Sequence, residues 1–283
     1  MIPMSKNRTC IICGSPDHFL IFAYDKPDKY EISLGISGTD YSRKWVKCNE
    51  CGFYYSISSE MTSVREIYES LYRGKNSPWR KESNETIFEK VINLPESESE
   101  TKKRIKWIKG RVISTWKEIY GITHFPPYRL LDIGGGTGVF SYEFQDSEWK
   151  ACIIDPDSSG GFLSEKHGIE YIQKMYSPRL ATGPFDLFSL VFVLEHIEDP
   201  EDILRKIRTE MNDESLIYIE VPDSVAFRHK PPEDDIFNSC HLWFFTAFSI
   251  ARLLDRCGME IFHMKRTKTI RGHFSMMLIA GIK

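Results

Sequence analysis

The chain has 283 residues, 41% of them hydrophobic and 27% charged, and its formal net charge is −3 at pH 7. This length suits one α/β domain with a smaller domain appended to it. The slightly acidic balance argues against a protein that wraps nucleic acid through its overall field. No segment approaches the roughly 20 apolar residues that span a bilayer, and the N-terminus lacks a signal-peptide core. We therefore expect a cytoplasmic protein with no membrane partner.

Four of the seven cysteines form two C-x-x-C-G repeats, Cys10/Cys13 and Cys48/Cys51. Each pair can offer two thiolates to one ion, and the glycine that follows permits a tight turn. In structural sites Zn²⁺ prefers four soft ligands, which leave no position open for water. We therefore predict a structural zinc ribbon within residues 1–58. Free thiols and an iron–sulfur centre are the alternatives.

Residues 59–123 alternate helical periodicity with polar breaks and are predicted to form a helical linker or cap. Apolar residues recur three or four positions apart between Thr101 and Tyr120, which places them on one helix face. These residues are Ile105, Ile108, Val112, Trp116 and Ile119. The aromatic candidates for contact with a substrate, each with ordinary packing as its alternative, are Tyr68, Tyr72, Trp79 and Trp107.

From Tyr128 onward, short apolar runs alternate with helical segments. The predicted strands are 129–133, 150–154, 170–172, 187–192, 216–221, 260–265 and 275–282. The predicted helices include 139–145, 200–211 and 247–257, the last between Thr246 as N-cap and Gly258 as the glycine that ends it. No helix separates the last two strands, so they should pair antiparallel. The alternation predicts an α/β fold with a doubly wound, mainly parallel sheet in residues 124–283.

A glycine-rich segment stands at the junction of the first of these strands and its helix. Gly134, Gly136 and Gly138 follow Asp132 at every second position. Glycine adopts positive φ and lets a ligand approach the backbone without a Cβ clash. A ligand is therefore expected at the carboxyl edge of the sheet, near its topological switch point. A dinucleotide loop would need a third glycine where Val139 stands, which disfavours a nicotinamide cofactor.

The loop and the segments after it resemble class I S-adenosylmethionine-dependent methyltransferases. Asp132 and the alternating glycines match the D-x-G-x-G-x-G signature of that superfamily, in which Asp132 could bind the ammonium group or fix the turn. Asp155 ends the second strand, where an acid can accept both ribose hydroxyls, and Asp157 is the fallback. Phe185–Pro200, FDLFSLVFVLEHIEDP, resembles the fourth-strand signature. The cofactor residues that the resemblance implies are Asp132, Gly134, Gly136, Gly138, Asp155, Val193, Leu194 and, over the adenine ring, Met175. The fold it implies is a seven-stranded Rossmann-like sheet with an antiparallel last strand.

Methyl transfer to a hydroxyl, or to a carbon beside a carbonyl, requires a group that removes a proton, and histidine suits this role. His241 is the first candidate, because its loop resembles the H-x-x-x-F-[ST] segment of the family. His196, at the end of the fourth strand, is the second, and Glu195 is given a supporting role. Each histidine has a structural alternative: His241 as an anchor for its loop, and His196 as a helix cap.

Two cysteine knuckles ahead of a methyltransferase domain resemble the zinc-binding N-terminal domain of sugar methyltransferases from bacterial deoxysugar and surface-polysaccharide pathways. In the carbon-methylating branch a glutamate precedes the loop histidine, where Cys240 stands here, and a further C-terminal domain follows, for which this chain leaves no room. We therefore expect the acceptor to be a hydroxyl of a sugar or sugar nucleotide.

Two other functions compete with this expectation. A macromolecular methyltransferase would dock RNA or protein through the ribbon, with the basic stretch Lys102–Lys106 meeting phosphates. The same side chains could instead form the solvated face of an amphipathic helix. A cofactor-binding scaffold that has lost catalysis is the other alternative, and the intact glycine loop disfavours it. The sequence leaves the oligomeric state open.

Overall fold

The structure, a computed structural model, describes residues 8–37, 41–58 and 82–283. The aromatic candidates Tyr68, Tyr72 and Trp79 lie outside the described residues. Within the described ranges, no helix combines the length and the apolar character needed to cross a bilayer.

The larger part of the chain folds around a seven-stranded sheet. Its strands are β4 (Tyr128–Ile133), β5 (Trp149–Ile154), β6 (Glu170–Ile172), β7 (Leu187–Val191), β8 (Leu216–Pro222), β10 (Met259–Lys268) and β11 (Phe274–Ile282). They are arranged in the order β10-β11-β8-β7-β4-β5-β6. β11 runs antiparallel to both neighbours, and the pairs among β8, β7, β4, β5 and β6 are parallel. The predicted seven-stranded sheet with an antiparallel last strand is confirmed, and its seven strands agree with the predicted ones to within three residues at either end.

Helices cover both faces of this sheet, as its nearly continuous apolar strands require. The α-helices of the described residues are α1 (Lys29–Ser33), α2 (Asn84–Ile92), α3 (Glu100–Ser114), α4 (Val139–Phe144), α5 (Gly161–His167), α6 (Pro200–Arg208), α7 (Ala226–His229) and α8 (Ala247–Arg256), of which α1 and α7 belong to smaller clusters away from the two main cores. One core joins α2, α3, α4 and α5 to the sheet, and a second joins α6 and α8 to the opposite face. The sequence segment predicted as a cap therefore contributes two of the layer helices.

The predicted apolar face of α3 is buried in the structure except at its far end. Ile108 and Val112 are fully buried and Trp116 nearly so, whereas Ile119 is 49% exposed. The last turn, Thr115–Ile119, is a π-helix, whose wider spacing of hydrogen bonds shifts the side chains that follow out of the α-helical register. This local widening explains why the periodicity fails at Ile119.

The N-terminal sheet has four antiparallel strands, but only three come from the N-terminal segment. These are β1 (His18–Tyr24), β2 (Arg43–Cys48) and β3 (Tyr54–Ser58). The fourth is β9 (Trp243–Phe244), which pairs with β3 through Tyr54↔Phe244 and Tyr55↔Trp243. The N-terminal segment is thus joined by strand pairing to the loop between β8 and α8, which carries His241.

Candidate active site

The glycine loop between β4 and α4 needs glycine for both backbone conformation and space. Gly134, Gly136 and Gly138 have φ values of +75°, +60° and +78°, in the left-handed region that favours glycine. A Cβ on Gly134 would lie 2.7 Å from a methyl group of Val193, and one on Gly138 would lie 2.5 Å from a methyl group of Leu163. The spacing noticed in the sequence therefore reflects the shape of the loop.

Asp132, at the end of β4, fixes the turn from inside the protein. Its carboxylate is buried and accepts hydrogen bonds from the hydroxyls of Ser141 and Ser189, each at 2.7 Å. These bonds tie β4 to α4 and to the neighbouring strand β7. Of the two predicted roles, the contacts correspond to fixing the turn, and the carboxylate also borders the larger of the two cavities described below.

Asp155 ends β5 and holds the glycine loop from the other side. One of its oxygens accepts a hydrogen bond from the Gly136 amide at 2.8 Å, and the other accepts one from the Asp157 amide at 2.9 Å. Asp157, the alternative candidate for the ribose, accepts a hydrogen bond from the Asn84 side chain at 2.8 Å, which ties it to α2. Only Asp155 of these two acids borders the smaller cavity.

Among the described residues, two neighbouring cavities lie at the carboxyl edge of the sheet and share a wall formed by Gly134, Phe192 and His196. The smaller, of about 310 Å³, is mainly apolar and includes Met175, with its side chain 44% exposed, and Val193. The larger, of about 460 Å³, is more polar. It is bordered by Gly134, Gly136, Glu100, Arg104, Glu195, His241, Arg271 and His273. The predicted cofactor residue Leu194 is fully buried and packs in the core instead.

Glu195, His196 and His241 meet at the larger cavity and are named here the Glu–His–His cluster. One nitrogen or oxygen from each of them lies within 4.8 Å of the others. Glu195 is 0% exposed, and no described residue donates a hydrogen bond to either oxygen. The Nε2 atom of His196 is 3.7 Å from one of these oxygens. The three predicted catalytic residues are therefore neighbours in space.

Backbone carbonyls orient both imidazole rings of the Glu–His–His cluster. The Nδ1 atom of His196 lies 2.7 Å from the Cys240 carbonyl oxygen, and that of His241 lies 2.5 Å from the Ile236 carbonyl oxygen. Burial raises the pKa of Glu195 to about 8 and lowers the pKa of His241 to about 4. A histidine with so low a pKa is a weak proton acceptor, so His241 is poorly suited to act alone as the base.

The four paired cysteines converge at the N-terminal sheet. Sγ of Cys10 lies 3.4 Å from Sγ of Cys51, and Sγ of Cys13 lies 3.5 Å from Sγ of Cys48. All four sulfurs lie within 4.8 Å of one another. Tetrahedral zinc with Zn–S bonds of about 2.3 Å separates its sulfurs by about 3.8 Å, so the donor set and its spacing fit that ion. The two pairs form one four-cysteine cluster that could hold zinc.

The four-cysteine cluster is linked to the Glu–His–His cluster through a short path of backbone hydrogen bonds. Beyond Cys48 the chain turns into β3, whose Ser56 amide donates to the Leu242 carbonyl at 2.9 Å. The Leu242 amide in turn donates to the Glu195 carbonyl at 2.9 Å. Arg256 on α8 also donates to the carbonyls of Ile11 and Ile12 in the first knuckle. The knuckles therefore support the loop that carries His241.

Sequence reasoning missed a buried ion pair below the larger cavity. Nε of Arg104 lies 2.5 Å from Glu220, which is 0% exposed, and a second guanidinium nitrogen lies 3.2 Å from the other carboxylate oxygen. The only signal was one acid inside the otherwise apolar strand β8. Lys102, from the same basic stretch, donates to the carbonyls of Ile92 and Leu94. The side chains of Lys102 and Arg104 therefore bind other groups within the protein.

Comparison with known proteins agrees with this geometry. A curated relative, the ubiquinone biosynthesis O-methyltransferase of Caulobacter sp. (strain K31), is 28% identical over 111 residues, which cover 36% of this chain and 44% of the relative. The match thus spans less than half of that protein's length.

Solved structures show the same fold. The magnesium protoporphyrin IX methyltransferase of Synechocystis PCC 6803 with bound S-adenosylmethionine has a TM-score of 0.51 and 12% identity, covering 80% of this chain and 99% of that one. An S-adenosylmethionine-dependent methyltransferase from Clostridium acetobutylicum has a TM-score of 0.50 and 9% identity, and the match covers 70% of this chain and 96% of that one. The predicted class I methyltransferase fold is confirmed. A family model described as a methyltransferase domain matches residues 86–264, well over half of the sequence, and the chain belongs to that family.

Proposed function

We propose that the protein transfers the methyl group of S-adenosylmethionine to a hydroxyl group of a small molecule. One observation carries this proposal: the glycine loop and the Glu–His–His cluster border the same larger cavity, which shares Gly134, Phe192 and His196 with the smaller cavity beside Asp155. A methyl donor held along the loop and an acceptor held at the cluster would therefore meet in one cavity. The O-methyltransferase named above supports the choice of reaction.

The residues around the glycine loop fit this cofactor. The smaller cavity is apolar enough for an adenine ring, with Met175 and Val193 in its wall, and Asp155 stands beside it where a ribose would lie. The loop backbone at Gly134 and Gly136 borders the larger cavity and can receive the amino-acid end of the cofactor. When bound, the cofactor supplies an electrophilic methyl group on a sulfonium. The protein then has to position the acceptor and remove its proton.

We assign proton removal to the Glu–His–His cluster as a unit. Its three polar atoms converge on the wall of the larger cavity, next to the glycine loop, so an acceptor hydroxyl placed there would be close to both. Phe192, in the shared wall, has a φ of +54°, which is costly for an aromatic residue. Strain of this kind persists where the surrounding structure enforces it, and such positions cluster at functional sites.

For the acceptor we keep the more specific proposal of a sugar or sugar nucleotide. The larger cavity carries several polar side chains, and Arg271 is exposed at its rim, where it could meet a phosphate.

The four-cysteine cluster is proposed to hold a structural zinc ion. Docking of a macromolecule is disfavoured because Lys102 and Arg104 already bind groups of the protein.

Calorimetric titration tests the proposal. S-adenosylhomocysteine, the demethylated product, should bind to the protein and NAD should not. Asp155→Ala should weaken that binding at least ten-fold, because it removes the acceptor for the Gly136 amide as well as the ribose partner. The exposed Asp213→Ala is the matched control and should bind like the wild type. Binding of NAD in preference to S-adenosylhomocysteine would refute the proposal.

Transfer itself is measured with a radiolabelled methyl donor against a panel of hydroxylated small molecules and, in parallel, RNA. Labelled product from a sugar or sugar nucleotide would support the narrower acceptor class. Label in RNA alone would contradict the small-molecule proposal.

A further inference from the structure

The turn that joins β10 to β11, Thr269–His273, forms part of the wall of the larger cavity. Contacts hold this turn from two sides. The Ile270 amide donates a hydrogen bond to the carboxylate of Glu100, at the start of α3. On the other side, Nε2 of His273 lies 3.0 Å from a carboxylate oxygen of Asp234, in the loop that follows α7. The turn is therefore held in place at the cavity that the glycine loop also borders.

Positive charge collects at this turn. Arg271 is exposed and borders the cavity, and its guanidinium has no hydrogen bond or ion pair with a described residue. Two lysines lie beside Gly272: a Cβ placed on this glycine would be 3.5 Å from Nζ of Lys230 and 3.7 Å from Cε of Lys268. The ammonium group of Lys268 lies 5.7 Å from the centroid of the Phe274 ring. Three cationic side chains thus surround one turn of the chain.

The acid beside the turn does not balance this charge. Asp234 is shared between Lys230, whose Nζ is 3.2 Å from one carboxylate oxygen, and His273, which lies against the other. Among the described residues, Arg271 and Lys268 have no acid as a partner. The formal net charge of the whole chain is −3, so this excess of positive charge is local. An anion bound at the turn would reduce the repulsion between these like charges.

A phosphate group fits this set of side chains better than a carboxylate does. A guanidinium can donate two parallel hydrogen bonds to a phosphate, and an ammonium group binds phosphate oxygens as a point charge. A carboxylate offers one negative charge, whereas a phosphate group offers about two at neutral pH. Two negative charges match the two cations, Arg271 and Lys268, that have no acid as a partner.

We propose that Arg271, Lys268 and Lys230 bind a phosphate or diphosphate group of the acceptor at the rim of the larger cavity. This inference rests on the proposed function and narrows its acceptor to a phosphate-bearing molecule. The Glu–His–His cluster borders the same cavity. An acceptor anchored at the turn by its phosphate would therefore extend its hydroxyl-bearing part into the cavity that contains the cluster. A sugar nucleotide has this layout, because its diphosphate is bonded directly to the sugar.

The test uses the full chain, incubated with Zn²⁺ and then separated from unbound ions. Inorganic pyrophosphate is titrated by calorimetry at low ionic strength, with and without S-adenosylhomocysteine. We expect one saturable site per chain under both conditions. Arg271→Gln should weaken this binding at least ten-fold, the effect of losing one hydrogen bond to a charged group, and Lys268→Gln should weaken it at least three-fold. Arg252→Gln removes an exposed arginine of α8, outside the cavity, and is the matched control that should bind like the wild type.

UDP-glucose and glucose show whether the site serves an acceptor or a free anion. UDP-glucose should displace pyrophosphate, and glucose should not. Displacement by glucose alone, or no displacement by UDP-glucose, would overturn the assignment to the acceptor. A short RNA oligonucleotide that binds more tightly than UDP-glucose, and loses this binding in Arg271→Gln, would overturn it as well.

Circular dichroism checks the folding of each variant. The proposal is overturned if pyrophosphate has no saturable site, if folded Arg271→Gln binds it as the wild type does, or if S-adenosylhomocysteine displaces it. Binding of S-adenosylhomocysteine without a pyrophosphate site would overturn only the phosphate site. A pyrophosphate site in a protein that does not bind S-adenosylhomocysteine would count against the proposed function.

Discussion

The buried ion pair between Arg104 and Glu220 gives a stability prediction that can be worked from the structure. Arg104→Met removes the guanidinium and leaves the Glu220 carboxylate at 0% exposure with an uncompensated charge. Breaking such a pair by removing one partner costs about 3–5 kcal/mol. Glu220 keeps the hydroxyl donors of Tyr218, at 2.6 Å, and Ser275, at 2.9 Å. We therefore expect a value near the lower end, a loss of about 3 kcal/mol in the free energy of unfolding.

Urea unfolding of the protein in the presence of Zn²⁺, followed by circular dichroism, measures this loss. The double variant Arg104→Met/Glu220→Gln should recover most of it, because no charge is then left buried without its counterion. Arg205→Met is the control: Arg205 is exposed, its partner Glu201 one helical turn away keeps a second ion pair with Arg256, and the change should cost less than about 0.5 kcal/mol. A loss below about 1 kcal/mol for Arg104→Met, or a double variant less stable than the single one, would refute this reasoning.

Two further variants test the glycine loop and the cysteine cluster. Gly138→Ala should destabilise the protein by about 2–4 kcal/mol, because it combines a left-handed backbone with overpacking against Leu163. Thermal unfolding measures the effect, and an unchanged melting temperature would contradict the steric argument. Cys48→Ser should lower the bound zinc below one ion per chain. It should also speed amide hydrogen exchange in β9, since β3 pairs with β9. Zinc loss with unaltered exchange at Trp243 and Phe244 would show that the cysteine knuckles do not support the loop that carries His241.

Local sequence patterns were sufficient for most of the fold. The strands, the helix between Thr246 and Gly258 and the glycine turn depend on burial and on backbone conformation within a few residues, and both leave periodic or positional signals. The helical period predicted that Ile119 would lie on the apolar helix face, and this was wrong because a π-helical turn changes the residue spacing there. Leu194 was expected in the cofactor pocket, but its side chain packs in the core, because the short 3₁₀ turn from Leu194 to His196 directs it inward.

The candidate site also contains some features that the sequence predicts and others that depend on the tertiary structure. The sequence by itself determined the glycine loop, the acid at the end of the second strand of the large sheet and the two cysteine knuckles, because each is a short segment whose residue types and spacing carry the chemistry. Only the tertiary structure decided that Asp132 bonds to two serine hydroxyls, that Arg104 pairs with Glu220, and that Glu195 has no donor among the described residues. These features join residues 9 to 116 positions apart, or depend on which groups surround a buried atom. Pairing over such distances is set by packing of the whole chain, and no local pattern specifies it.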